Sequence, residues 1–412
     1  MKTQILILFA FCISNAQNNQ GIIGDSNWFN NWTNFRPKAV EYKESTKIIN
    51  GEINVNTTLY RNNVYLLVGT VYVCKNAVLT IEPGTVIRGD FETNSMLMVV
   101  KGSKIIAEGT ETNPIVFTSN RSTSERKPGD WGGIVLLGEA PINMHGGMAS
   151  CFYDQNPLFN GFGGKNENSD SGILKYVRIE FAGKKIDSKI ALNGLTLAGV
   201  GNQTKLEYIQ VSFASDDSFE VIGGNNNLSN VISYRAFDDD FDYSFGTQAI
   251  VNNSIAIRNP FNSDNTRSRC FEIDSYDKIE NVDVTKKKTL LKLKNITLLN
   301  SEESASLGLI KEAISLKYDS FLEMENCIVS GFSSFIALDN KYQENNNFKN
   351  IKVYNSTINN CAVAFTNETL QKNDQVNDWF LNNANLLKVS NVEMINLFKN
   401  PDLKKKPDFR IK

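Results

Sequence analysis

The sequence predicts an all-β chain wound as a parallel solenoid, and three observations carry that expectation. Strand-like runs recur at a spacing of roughly 18 to 26 residues, self-similar segments sit at fixed offsets, and helix signals between them are few. Leu79-Thr80-Ile81-Glu82-Pro83-Gly84-Thr85-Val86-Ile87 is echoed 18 residues later by Leu97-Met98-Val99-Val100-Lys101-Gly102-Ser103-Lys104-Ile105. Both copies alternate apolar and other residues, turn at glycine and resume with an aliphatic, which reads as strand, tight turn, strand. A second echo joins Asp216-Asp217-Ser218-Phe219-Glu220 to Asp238-Asp239-Asp240-Phe241-Asp242 at an offset of 22, and the same step carries Leu206 to Leu228 and Leu228 to Ile250.

Further strands follow in the same style, among them Tyr176–Phe181, Tyr208–Phe213, Val231–Tyr234, Ile255–Ile257, Ile296–Leu299, Cys327–Val329 and Ile351–Tyr354. Several start just after an asparagine, at Asn230, Asn295, Asn326 and Asn350, a residue that tolerates left-handed backbone and so marks corners. A sandwich would bring strands about every 8 to 12 residues with hairpin dipeptides, and a propeller would repeat at about 40 or more. Stacked coils about 4.8 Å apart with aliphatics along the axis fit better. The coil region is read as residues 46–365, one domain. Residues 17–45, with Trp28, Phe29, Trp32 and Phe35, are expected to cap the first coil, and residues 366–412 to cap or trail the last. The run Lys404-Lys405-Lys406 reads as a solvated tail.

Residues 1–16 read as a secretory signal peptide: Lys2, an apolar run from Ile5 to Phe11, then Ser14-Asn15-Ala16 before a cut at Gln17. A lipid anchor at Cys12 is disfavoured by the bulk of Phe11. The chain is therefore expected to be exported, to the periplasm, the cell surface or the medium. With the leader removed, five of six cysteines remain, an odd number with no CxxC spacing; Cys74, Cys327 and Cys361 read as small core residues. No later segment offers about 20 consecutive apolar residues, so no membrane span is expected. Lys+Arg 43 against Asp+Glu 45 gives a net charge of −2, which provides no electrostatic footprint for nucleic acid. The single histidine, His145, excludes multi-histidine metal sites. A monomer is expected.

Gly129-Asp130-Trp131-Gly132-Gly133-Ile134-Val135-Leu136-Leu137-Gly138 with Pro141-Ile142-Asn143, Asn113-Pro114-Ile115-Val116-Phe117-Thr118, Asn193-Gly194-Leu195-Thr196-Leu197 and the paired acidic motifs resemble the secreted right-handed parallel β-helix proteins of Bacteroidota with a pectin-lyase-like fold. The likeness covers roughly residues 50–365 and implies a single-stranded right-handed β-helix. It assigns no chemistry, because fold alone does not license function.

The acidic pair is the leading site candidate. Stacking would set Asp216 over Asp238, Asp217 over Asp239 and Glu220 over Asp242. Like charges about 5 Å apart repel by roughly 3 kcal/mol at an effective dielectric of 20. A cation between them, protonation or solvation must relieve this. If Phe219 and Phe241 face the core, alternation sends Glu220, Asp240 and Asp242 outward with Asp216 and Asp238, an oxygen-rich set suited to Ca²⁺. A solvated acidic turn is the plainer reading.

Asp217 and Asp239 are the catalytic candidates, as an acid and base pair, with Arg235 a candidate lyase base. The Gly-His-Gly of polygalacturonase-like enzymes is absent. Arg235 and Arg258, with Arg178, could form a binding ladder, or neutralise nearby carboxylates. Trp131 could stack on a sugar or pack into the coil. Gly161-Phe162-Gly163-Gly164 precedes no helix and is not a phosphate loop. The stretch from about 139 to 172 reads as a binding lip. Together these readings give a binding or structural module for a polysaccharide or a cell-surface protein. The alternative is a polysaccharide lyase or glycoside hydrolase.

Overall fold

The computed structural model describes residues 20–412 apart from 152, 154–155, 188–189, 264–266, 277, 301–308, 341, 343–346, 368–373 and 384–386. The expected signal peptide and its cut at Gln17 lie outside the described residues. The chain is a right-handed parallel β-helix, in which three ladders of short strands stack coil on coil.

One ladder runs from Met96–Val99 through Ile134–Leu137, Leu195–Ala198, Phe219–Ile222, Phe241–Ser244 and Phe271–Ile273 to Glu312–Leu316, Ser334–Leu338 and Val363–Asn367. We call it the site ladder. A second contains Val78–Ile81, Lys104–Glu108, Gln248–Asn252, Leu290–Lys294, Phe321–Glu325 and Ile351–Tyr354. The third, the flank ladder, contains Val86–Gly89, Ile115–Ser119, Ile232–Tyr234, Ile255–Arg258, Thr297–Asn300, Ile328–Ser330 and Thr357–Asn359. Alternation places one side chain of every two on the axis. There Phe219, Phe241 and Phe271 stack with centroids 5.0 and 4.6 Å apart, and Leu, Ile and Val fill the remaining layers.

Corners between the second and flank ladders need left-handed backbone, and Asn230, Asn253, Asn295, Asn326 and Asn355 provide it. Asn350 does not, since it closes the short turn Asn347–Asn350 and Asn355 holds the corner of its coil. The 22-residue offset is the true coil step at Phe219 and Phe241. The 18-residue echo is not a coil step. Leu79 pairs with Ile105 in the second ladder, whereas Leu97 pairs with Ile134 in the site ladder. The echo therefore matches two different corners of the solenoid, alike because both are strand, glycine turn, strand. Ile250 likewise sits one residue off, since Leu228 pairs with Val251.

The aromatic N-terminal segment does not lie over the first coil. It runs along the flank ladder, covering its apolar outer face. Gln20 bonds Asn355, Gly21 the carbonyl of Asn326, Ile22 Thr297 and Ile23 Asn253, and Trp32 then packs edge-on against Tyr176 and Tyr208. Asn34 grips Gln210 through two backbone bonds, Val40 accepts from Arg126, and Lys43 accepts from Arg88. The first coil keeps Ile48, Val55 and Tyr60 more than half exposed. At the other end, helix Asp374–Asn383 sets Val376 and Phe380 against Phe365 of the last coil, 4.5 Å from ring to ring for the two phenylalanines.

Candidate functional site

Register fixes which residues share the outward face of the site ladder. Thr196, Glu220, Asp242, Glu272 and Ser315 stand in one column across successive coils. Three residues upstream of Glu220, Asp242 and Glu272 come Asp217, Asp239 and Arg269. The lower part of this face is a cavity of 290 Å³ lined by Asp217, Asp238, Asp239, Asp242, Arg269, Glu272 and Lys317.

The upstream column is a ladder of turn bonds. Asp217 N–H donates to Asn193 Oδ1 at 3.1 Å, Asp239 N–H to Asp217 Oδ1 at 2.9 Å and Arg269 N–H to Asp239 Oδ1 at 2.5 Å. Asp217 and Asp239, the catalytic candidates, therefore each accept a backbone proton and hold the entry to the next strand. Their carboxyls are pushed well above the usual range by burial first and by neighbouring carboxylates second. Asp242 is raised the same way, by burial and then by Asp274 and Glu272. Glu272 goes the opposite way: burial alone would raise it, but Arg269 and Lys317 hold it below its ordinary value. Both cations pair with it, Arg269 at Oε2 and Lys317 at Oε1, and Arg269 Nε also meets Glu312 Oε1 at 3.3 Å.

The expected outward acidic set divides in the structure. One oxygen each from Asp216, Asp217 and Asp238 lie within 4.8 Å of one another, and among the described residues this is the group whose spacing suits a metal ion. Asp242 lies in the adjoining cavity. Asp240 is not outward. The strand begins at Phe241, so alternation does not reach back to it, and its fully buried carboxylate accepts from Arg258 Nη1 at 3.0 Å and from Ser233. Glu220 is outward but covered. Tyr153 from the 139–172 stretch bonds its carboxylate, as does Asn193 Nδ2 at 2.6 Å, and burial lifts it to about 7.

Nor do the expected binding residues line this face. Trp131 is fully buried, lies against Gly89, where a Cβ would stand 2.5 Å from the indole, and donates from Nε1 to the carbonyl of Glu180 at 2.8 Å. Arg258 is fully buried, with further bonds to the carbonyls of Arg269 and Asp238. Arg235 lies over the Tyr234 ring at 5.2 Å, away from the cavity lining. Arg178 aligns with Gln210 and through it with Ile232, so the three arginines form no ladder. The expected lip is folded down onto the site ladder, Phe159 meeting Tyr72 at 4.6 Å.

Sequence reading missed Arg269, Glu272 and Lys317. One signal was present: Phe271-Glu272-Ile273 is a third copy of Phe-acid-apolar, 30 residues after Phe241. The longer preceding loop broke the 22-residue offset and hid it.

Coils, ladders and an acidic outward groove define a parallel β-helix protein with a solvent-facing charged site. More particularly, residues 51–398 match the pectate-lyase-like β-helix domain family, and the chain belongs to it. Among solved structures the chain is similar to a variant catalytic domain of a GH87 α-1,3-glucanase in complex with nigerose. The TM-score is 0.27 and the identity 11%, over 84% of this chain and 63% of that one, less than two thirds of its length. No curated protein matches the chain.

Proposed function

We propose that the protein is an exported glycan-binding β-helix protein whose sugar site is the charged groove of the site ladder. One observation carries this reading: acceptor carboxylates recur on one outward face in consecutive coils, so a repeating polymer would meet a repeating surface. Five carboxyl groups line the groove beside Arg269 and Lys317, and burial raises three of them, Asp217, Asp239 and Asp242. Such a carboxyl-rich surface suits the hydroxyl groups of a neutral or amino sugar. We further propose that Ca²⁺ is the cation taken by Asp216, Asp217 and Asp238, since an all-oxygen donor set suits a hard ion.

Glycoside hydrolysis is the second reading, and the opposed shifts of Asp242 and Glu272 favour it. A protonated carboxyl beside an ionised one is the pattern of an acid and base pair. Against it, both oxygens of Glu272 are already engaged by cations. Elimination has less support, since Arg235 lies outside the groove.

The test is a panel of neutral, amino and uronic polysaccharides scored for retention and for released reducing or unsaturated ends. Binding of a neutral or amino glycan without products, weakened roughly tenfold by Asp242→Ala, is the expected result. Released ends abolished by both Asp242→Asn and Glu272→Gln would establish the hydrolytic reading instead. Retention of no member, or of uronates alone, would overturn the assignment.

A further inference from the structure

The segment read from sequence as a solvated lysine tail is a fixed loop in the structure. Asn400 Nδ2 donates to the carbonyl of Lys406 at 2.7 Å, and Asn27 Nδ2 to the carbonyl of Pro407 at 2.7 Å. Asp402 Oδ1 accepts from the N–H of Lys404 at 2.9 Å, and its carbonyl from that of Lys405 at 3.1 Å. The loop thereby faces the N-terminal aromatic segment across a cavity of 300 Å³. Every formally charged residue lining that cavity is a cation: Arg36, Lys404, Lys405 and Lys406. Lys405 reaches Asp402 at 3.6 Å, while Arg36, Lys404 and Lys406 have no carboxylate within ion-pair distance among the described residues.

Four cations thus meet around one cavity, in a chain whose net charge is only −2. A second observation points the same way. Asn34, which lines the cavity, is locked by two bonds to Gln210, and its Oδ1 accepts from the N–H of Arg36 at 2.9 Å. This bond identifies Nδ2 as the donor side of the amide, and Nδ2 is buried without an acceptor. The cavity thus combines cations with an unmet donor and no acidic side chain.

We propose that this cavity is an anion site, distinct from the sugar groove and on another face of the coil, which takes a tetrahedral oxyanion of the sulfate or phosphate class. Guanidinium and ammonium groups match its oxygens through charge-assisted hydrogen bonds. The loop bonds hold the backbone that carries these lysines in place before the ligand arrives, which lowers part of the ordering cost of binding.

The test is calorimetric titration of the full chain at low ionic strength with inorganic sulfate and with inorganic phosphate. Column retention on dextran sulfate is compared with retention on neutral dextran. Wild type should bind at least one ion saturably. Arg36→Ala with Lys404→Ala and Lys406→Ala should lose roughly tenfold in affinity for each cation removed. These three residues are exposed, so the melting temperature of the variant without ligand should match wild type. Retention of dextran sulfate but not dextran supports the site and assigns its ligand to a sulfated glycan; saturation by the inorganic ions alone supports it and assigns a free ion. Absence of saturable binding by wild type, or equal binding by the variant, would overturn the proposal.

Discussion

Glu220 stands at an outward strand position, yet Tyr153 and Asn193 close over it and burial lifts its carboxyl to about 7. An unfolded glutamate titrates near 4.3. The folded state therefore holds the extra proton between those values. Its contribution to stability is full below about 4.3 and is lost as pH rises through about 7. Glu220→Gln keeps the acceptor and removes the titration. It should be more stable than wild type at pH 8, by on the order of 1 to 3 kcal/mol, with the advantage shrinking toward pH 5. Urea unfolding at both values measures this, and an equal difference at both would contradict it. Asp240 and Arg258 make the opposite case, two charges compensating inside the protein. Burial alone would lower Arg258, but Asp240 holds it above its ordinary value. Arg258→Met strands the carboxylate and should cost about 3 to 5 kcal/mol. The loss should be much smaller in combination with Asp240→Asn, as a double-mutant cycle would report.

The turns before the site strands show why a residue type alone does not disclose its task. Asp217 and Asp239 look catalytic as an acidic pair, but each accepts the N–H that begins the next coil's turn. Asparagine can accept the same bond without charge, so in chelator Asp217→Asn should melt at or above the wild-type temperature. Asp217→Ala should lose about 1 to 2 kcal/mol; paired thermal melts decide it, and equal losses would refute the ladder. The same turns bring Asp216, Asp217 and Asp238 together. Millimolar Ca²⁺ should raise the wild-type melting temperature relative to chelator, and should fail to do so in Asp216→Asn with Asp238→Asn. Identical wild-type curves in both conditions would remove the ion from the account. The Phe219 and Phe241 register was legible in the sequence because it follows directly from period-two alternation and a constant offset. Asp240 was not, because alternation stops where the extended backbone does.

At the scale of the whole chain, the solenoid was legible because every coil repeats one requirement, an apolar axis and a corner residue. The groove was half legible. Its acids sit in a repeated motif, while Arg269 and Lys317 arrive from coils of other lengths. Tyr153 comes from an insertion with no repeat at all. Nor could sequence show that Trp28 and Trp32 lie along the flank, since their partners Tyr176 and Tyr208 are more than 140 residues away. A solenoid's stability is built from neighbouring coils, so an uncovered end opens first. The strand Lys47–Ile53 has one neighbour and an exposed Ile48, whereas the last coil is covered by helix Asp374–Asn383. Amide exchange should therefore be fastest over residues 46–81 and slowest from about 195 to 338. Uniform protection would mean that the flank segment couples all coils into one unit.

That flank segment also sets an order on synthesis. Residues 20–23 leave the ribosome among the first described residues, but their hydrogen-bonding partners Asn253, Thr297, Asn326 and Asn355 leave among the later ones. The separation reaches 335 residues between Gln20 and Asn355. At about 5 to 20 residues per second, the segment waits on the order of tens of seconds for its partners. During that interval Trp28, Phe29 and Trp32 have no finished surface to cover. They are the stretch a chaperone or translocation factor would find exposed, whereas the docking of residues 20–23 reports that the last coils have formed.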